Sequence, residues 1–526
     1  MQYSSLGANL SFTRGVCLRI LLTALILSAT HRTAQASGGA AAADDIKDHI
    51  KKAAKLVRRA DLIKAEELLR KAIEINPSRS DSKVELGFVL TKQRRLLEAY
   101  ELLLPIAQAE PKNTRAFAVL GTTLLAAGRF AEAKALFYTA INYNKKEHLA
   151  WAGSGMVDFY ENRIGDSLEN LREAVYRQPN EPDYVFALAQ VCARSERYRE
   201  AADNYRRFLQ VSESTDADRR ARIKGLIEFL KYLGLANTLY DLSGAERSVI
   251  PFELVGNRPI IKLKVNGRSD VLRFVLDTGS GISVVSNKTA KRLKIRQVTK
   301  GGFARGLGGD GRFEIVYGML REVALGGVTI KNVPVYLREF HNSGSEVDGY
   351  IGLALISKFL TTVDYGNSTM SLTKSDADVR QFTESGDLSL PLRLTSSGFL
   401  SGEVQLEGIP SPLNFIVDTG ASISVISDEV AKIDSISQFA GPDKLSVIGS
   451  AGISDGKQTY KLPKVSFGNY TRTDVMAVAL DLGLINEASG FEQAGILGGN
   501  FLKNYRLTFD FKNSKVIFAL LQPEKD

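Results

Sequence analysis

At 526 residues the chain is too long for one hydrophobic core and implies three or four domains, and its 44% hydrophobic and 24% charged content is that of an ordinary soluble globular protein. The net charge of +9 is carried by Lys and Arg scattered singly and in pairs, so it reads as a solvated surface. With neither a Walker-type loop nor a zinc-finger spacing, nucleic-acid binding has no support. The four histidines, His31, His49, His148 and His341, are too dispersed for a Ser-His-Asp triad or a histidine-rich zinc site.

In chain order, Arg14 precedes an apolar run from Ile20 to Ala29, followed by Ala34-Gln35-Ala36. The run is too short to span a bilayer and the small-residue triplet suits a signal peptidase, so residues 1–36 are expected to be a signal peptide cleaved after Ala36. The protein is then exported, periplasmic or secreted, and touches a membrane only if the signal stays uncleaved. Cys17 would leave with that segment, and Cys192 alone cannot make an internal bridge.

Residues 45–235 read as helices with a fixed period. Pro77, Pro111, Lys145 and Pro179 follow one another at steps of 34 residues, and Ala65, Ala99, Ala133, Ser167 and Ala201 form a second series at the same step. Small residues there let paired helices approach closely. The segment resembles a tetratricopeptide array of about five repeats with a capping helix. Leu86-Gly87, Leu120-Gly121, Gly155 and Trp151 match the first-helix positions, and Ala72, Ala140 and Ala174 match the second-helix small position. Ile106 and Asp158 depart from the pattern. By that resemblance the array offers a concave face to a peptide or partner protein; a spacer or self-association element is the alternative.

After Leu235 the texture changes to short alternating strands with Gly, Asn and Asp turns. Two units, 248–374 and 388–521, correspond along their length and are separated by a charged, polar linker, 375–387. FVLDTGSGISVVS, from Phe274 to Ser286, returns as FIVDTGASISVIS, from Phe415 to Ser427. Gly267 and Gly408 precede these acids by equal intervals. Gly349-Tyr350-Ile351-Gly352 returns as Gly495-Ile496-Leu497-Gly498, and Thr362-Val363-Asp364 as Thr508-Phe509-Asp510. Each copy also carries a glycine-rich hairpin, with Gly306, Gly308 and Gly309 in the first and Gly449 and Gly452 in the second. GLGGDG fits a dinucleotide-loop pattern, but it leads into the strand alternation of Phe313, Ile315 and Tyr317 rather than a helix, so that reading is rejected.

An apolar strand, Asp-Thr-Gly-Ser/Ala, a glycine-rich flap and a later apolar pair before Gly, each present twice, resemble the retroviral-type and pepsin-like aspartic proteases. The resemblance implies an all-α tetratricopeptide superhelix followed by two all-β retropepsin-like lobes. It also implies an aspartic endopeptidase of extended peptides without cofactor or metal; a retroviral-type enzyme must dimerise, but two copies on one polypeptide predict that this chain works as a monomer. Asp277 and Asp418 would share one proton and activate water. Thr278 and Thr419 would lock the two loops together, Gly279 and Gly420 would let backbone crowd the carboxylates, and Ser280 and Ala421 would complete the support. Ser280, whose hydroxyl has no counterpart at Ala421, is expected to keep Asp277 ionised and make it the base. Two alternatives remain: a non-catalytic scaffold or peptide-binding protein, and catalysis only in a homodimer. Gly352-Leu353-Ala354 departs from Gly498-Gly499-Asn500, which leaves the support of the first acid open.

Overall fold

The computed structural model describes residues 36–235, 238–309, 311–341, 347–374 and 387–521. Except for Ala36 and Asp387, the expected signal peptide and linker lie outside the described residues.

The helical part consists of five described helix hairpins: Ala36–Arg58 with Leu62–Ile75, Ser80–Lys92 with Leu96–Ala109, Thr114–Ala126 with Phe130–Tyr143, His148–Tyr160 with Ile164–Arg177, and Pro182–Arg194 with Tyr198–Val211. A further helix, Ala217–Leu235, packs on the last hairpin. Side-chain caps start several of them: Asp61 accepts from Lys64 N and Asn113 from Ala116 N. The tight turn inside each hairpin takes a left-handed residue at Ala60, Arg94, Gly128, Asn162 and Glu196, again at the 34-residue period, and only one of these is glycine. Ala65, Ala99, Ala133, Ser167 and Ala201 are all 0% exposed, so no larger side chain fits between the paired helices without moving them apart.

The two departures have local explanations. Ile106 is half-buried, and its neighbour Ala107 takes the buried place. Asp158 is buried, and desolvation raises its pKa, but it is met by the Arg163 guanidinium and by Asn170 Nδ2 at 2.8 Å. Among the described residues no helix is long and apolar enough to cross a membrane.

The β part is two lobes of one plan. In the first, the hairpin Arg258–Val265/Leu272–Leu276 is followed by Val284–Ser286; Gly349–Ile351 then enters between them, parallel to Leu272–Leu276 and antiparallel to Val284–Ser286. In the second, Leu400–Leu406/Leu413–Val417 and Ser424–Ser427 receive Gly495–Leu497 in the same way. Gly267 and Gly408 form the hairpin turns, with φ of 68° and 81° that disfavour a Cβ. An antiparallel array of six strands joins the lobes. Its order is Leu388–Pro391, Lys515–Leu520, Tyr505–Asp510, Phe359–Asp364, Thr369–Lys374 and Arg247–Val255, three strands from each lobe. At its centre Thr362 pairs with its own counterpart Thr508, their hydroxyl oxygens 2.9 Å apart, which marks the local twofold axis.

The helical array packs against both lobes. Phe491 of the second lobe is fully buried in the array, edge-on to Phe130 and Tyr160 at centroid distances of 4.9 and 5.0 Å. Arg194 donates to Thr395 O at 2.6 Å. On the other side, Phe229 of the last helix stacks on Tyr317 of the first lobe at 4.3 Å.

Candidate active site

Each acid stands at the end of a buried apolar strand whose last amide pairing fixes its turn. Asp277 N donates to Ile351 O at 3.0 Å, and Asp418 N to Leu497 O at 2.9 Å. The alternating serines of the repeated string have separate tasks. Ser283 and Ser424 accept from Gly352 N and Gly498 N, both at 3.1 Å, and hold the inserted strand against the turn. Ser286 and Ser427 cap the short helices that follow, accepting from Thr289 N at 3.1 Å and Val430 N at 3.2 Å. The sequence displayed this alternation, but its division of labour appears only once the inserted strands are in place.

Thr278 and Thr419 are 0% exposed and interlock across the axis. Thr278 Oγ1 donates to Val417 O at 2.6 Å and accepts from Thr419 N at 3.0 Å. Thr419 Oγ1 reciprocates, donating to Leu276 O at 2.6 Å and accepting from Thr278 N at 3.2 Å. These four bonds tie the two turns to each other.

The glycines bring the acids together. A Cβ on Gly279 would stand 2.5 Å from Asp418 Oδ2, and one on Gly420 2.8 Å from Asp277 Oδ1, so each glycine lies against the opposite carboxyl group. Burial pushes both pKa values up, and for Asp277 the neighbouring Asp418 charge pushes further, so the pair holds one proton. Asp418 is the better stabilised anion. Its Oδ1 accepts from Gly420 N at 2.7 Å, and the backbone amides of Gly279 and Ala421 also favour its charge. These contacts favour Asp418 as the ionised member of the pair and Asp277 as its acid.

That assignment reverses the expectation for Ser280. Its hydroxyl donates to Ile282 O at 2.9 Å within its own turn rather than to Asp277, so it does not hold Asp277 ionised. The support of the two loops also differs where the sequences differ. In the second lobe Gly499 N donates to Ala421 O at 2.7 Å, and Asn500 Oδ1 accepts from Ser424 N and Oγ, both at 2.9 Å. In the first, the Leu353 and Ala354 amides donate to Ser280 O at 2.8 Å and Gly281 O at 2.9 Å, so backbone replaces the asparagine.

Two long hairpins reach over the acids. Arg296–Arg305 with Arg312–Leu325 form flap 1, and Ala440–Ile448 with Ile453–Phe467 form flap 2. Their tips meet: Gly309 N donates to Ile453 O at 3.1 Å and Ala451 N to Leu307 O at 2.8 Å. Gly306, Gly308, Gly309, Gly449 and Gly452 all lie in this contact, where an added Cβ would collide with the opposite tip. Flap 1 lies along the last helix of the array. Gly225 touches Lys300 and Gly301 backbone, Arg222 donates to Phe303 O at 3.0 Å, and Arg312 pairs with Asp218 at 3.0 Å.

Beneath the flaps is a cleft of about 1580 Å³ that contains both acids. Its wall continues onto the array through Met156, Tyr160, Phe186, Gln190 and Arg219. Tyr350, from the repeated Gly349-Tyr350-Ile351-Gly352 block, lines it as well, and so does Arg338, which carried no signal in the sequence because nothing local distinguishes a cleft arginine from a surface one. Among the described residues no cluster of His, Cys, Asp or Glu is placed to hold a metal ion.

Two β lobes related by a local twofold, each delivering Asp-Thr-Gly to the axis beneath paired flaps, define the retropepsin-like class. The aspartyl protease family matches residues 261–355 and 402–501, one stretch in each lobe. The chain thus joins a tetratricopeptide-like array of helix hairpins to two tandem lobes similar to the aspartyl protease family. No curated protein matches it significantly. Solved structures similar to it include pilF of Pseudomonas aeruginosa, at 18% identity over 37% of this chain and 87% of that one with a TM-score of 0.28. Another is a thermophilic TPR protein of Thermus thermophilus, at 18% identity over 35% of this chain and 98% of that one with a TM-score of 0.30. A third is MamA of Desulfovibrio magneticus RS-1, at 17% identity over 33% and 98% with a TM-score of 0.24.

Proposed function

We propose that the protein is an aspartic endopeptidase that cuts extended peptides as a monomer, with its helical array holding protein partners or the flanks of the substrate. The observation that carries this is the reciprocal placement of Asp277 and Asp418: each lies against the other's glycine, and one polypeptide supplies both. Asp418, the carboxylate, takes a proton from a water molecule as its oxygen attacks the scissile carbonyl carbon. Asp277 gives its proton to the carbonyl oxygen, forming a gem-diol intermediate without a covalent bond to the enzyme. Collapse of that intermediate breaks the C–N bond, with the amine protonated through the same pair. A role for the array in substrate binding is supported by the shared wall of the cleft.

The test is cleavage of an unstructured protein by the purified chain at acidic to neutral pH. Asp277→Asn and Asp418→Asn should each abolish it with the fold retained. Absence of cleavage by the parent, or cleavage that survives either substitution, would favour a binding protein instead. Export is part of the same reading and rests on Ile20–Ala29 and Ala34-Gln35-Ala36. Mass spectrometry of the protein recovered outside the cytoplasm should find Ser37 as its first residue; an intact Met1 would count against cleavage.

A further inference from the structure

Among the described residues, the wall of the cleft contains a cation without an anion. Arg338 ends the strand Val328–Arg338 and pairs in register with Ser286, a few residues past the Asp277 turn. Its guanidinium lies over Phe313 of flap 1 at 4.9 Å and near Phe340 at 5.7 Å, and Phe340 packs edge-on to Tyr350 at 5.1 Å. All four residues line the cleft that holds the two acids. Two aromatic faces fix the plane of the guanidinium and strip water from it, while Arg338 Nε is buried with no hydrogen-bond partner among the described residues.

The groups able to neutralise it are engaged otherwise. Adjacent Glu339 accepts from Asn287 Nδ2 at 3.3 Å, and Asp277, whose charge Arg338 favours through space, lies against Gly420 without forming an ion pair with Arg338. Other cleft arginines already have work: Arg222 donates to Phe303 O, and Arg219 stands over Phe186 and Phe208. A planar, half-buried guanidinium with no ion pair matches a carboxylate, which its two terminal Nη groups can bind through two parallel N–H···O bonds. A substrate bearing a neutral amide in that place would leave the cation unpaired.

We propose that Arg338, framed by Phe313 and Phe340, forms a subsite for a substrate carboxylate, so that the enzyme prefers peptides with an acidic side chain flanking the scissile bond. The proposal rests on the peptidase reading, and it is tested by binding so that the two can fail separately. Peptides whose scissile amide is replaced by an uncleavable reduced bond are made with Glu, Gln or Lys at each flanking position, each with a free or an amidated C-terminus. Their affinities for the full chain are measured by fluorescence anisotropy near pH 6.

At one position Glu should bind about tenfold or more tighter than Gln, as expected for a charge-assisted hydrogen-bonded pair. Arg338→Met should reduce that ratio to within about twofold, and Arg338→Lys should keep part of it. Glu and Gln binding alike at every position would overturn the proposal, as would a preference that survives Arg338→Met. A preference that follows the free C-terminus instead would overturn the assignment to an acidic side chain. Arg338→Met weakening Glu and Gln peptides equally would mean that Arg338 only braces Phe313. A chain that selects Glu through Arg338 yet cuts no peptide would keep this subsite and remove the peptidase reading.

Discussion

Thr278→Val tests the joint between the lobes with little change in volume. The hydroxyl removed makes two buried hydrogen bonds, so the substitution leaves Val417 O without a donor and Thr419 N without an acceptor. Thr278 is 0% exposed, and water cannot replace either bond without opening the interface. Each stranded group costs about 1–3 kcal/mol, which gives a loss of about 2–6 kcal/mol, a large part of the roughly 5–15 kcal/mol typical of a folded domain. Thr278→Ser keeps both bonds and gives up one methyl group, for about 1 kcal/mol. Thr419→Val strands Leu276 O and Thr278 N and should cost as much as its counterpart. The double valine variant should cost less than the two singles added, because the four bonds form one network. Calorimetry gives the totals, and hydrogen exchange on peptides spanning 272–286 and 413–427 locates the loss. A Thr278→Val variant within about 0.5 kcal/mol of Thr278→Ser would refute the interlock as a source of stability.

Three further outcomes follow from other parts of the molecule. Both acids have pKa values raised from 3.8, so above that value the unfolded chain binds fewer protons than the folded one, and stability falls as pH rises towards the folded-state values. Asp277→Asn should therefore gain on the parent by up to about 1.4 kcal/mol per pH unit within that window while losing activity; a melting-temperature gap that stays constant from about pH 4 to about pH 7 would count against the shared proton. Phe491→Ala empties a fully buried place between array and second lobe and should cost about 3–5 kcal/mol, read by thermal unfolding; an unchanged midpoint would mean that the array is docked by its polar contacts alone. Gly225→Ala sets a Cβ 2.5 Å from Gly301 Cα, and should lower activity and raise hydrogen exchange in flap 1 over 296–305; exchange equal to the parent would show that the last helix does not brace the flap.

What the sequence displayed and what it concealed divide by the reach of the interactions. The Asp-Thr-Gly strings were legible because each residue acts on its own turn or on its symmetric copy: Thr278 needs Thr419, Gly279 needs Asp418, and duplication writes both partners into the chain. The 34-residue period was legible for the same reason, since Ala65, Ala99, Ala133, Ser167 and Ala201 solve one packing problem five times. Ser280 misled because a hydroxyl in so tight a turn has several acceptors within reach, and Ile282 O is the one it meets. Contacts made only once leave no repeat to compare. Phe491 reads as one more apolar residue of the second lobe, yet it belongs to the array's core; hydrophobicity says that a side chain is buried but not in which core. Arg338 and Gly225 are likewise unique, and they are among the residues that make the two lobes unequal. The flap tips meet over the cleft that holds the acids, and flap 1 is fastened to the last array helix through Arg222, Gly225 and Phe229. Lifting that flap must therefore break these contacts or bend the helix with it, so anything that rigidifies the array also raises the cost of opening the cleft.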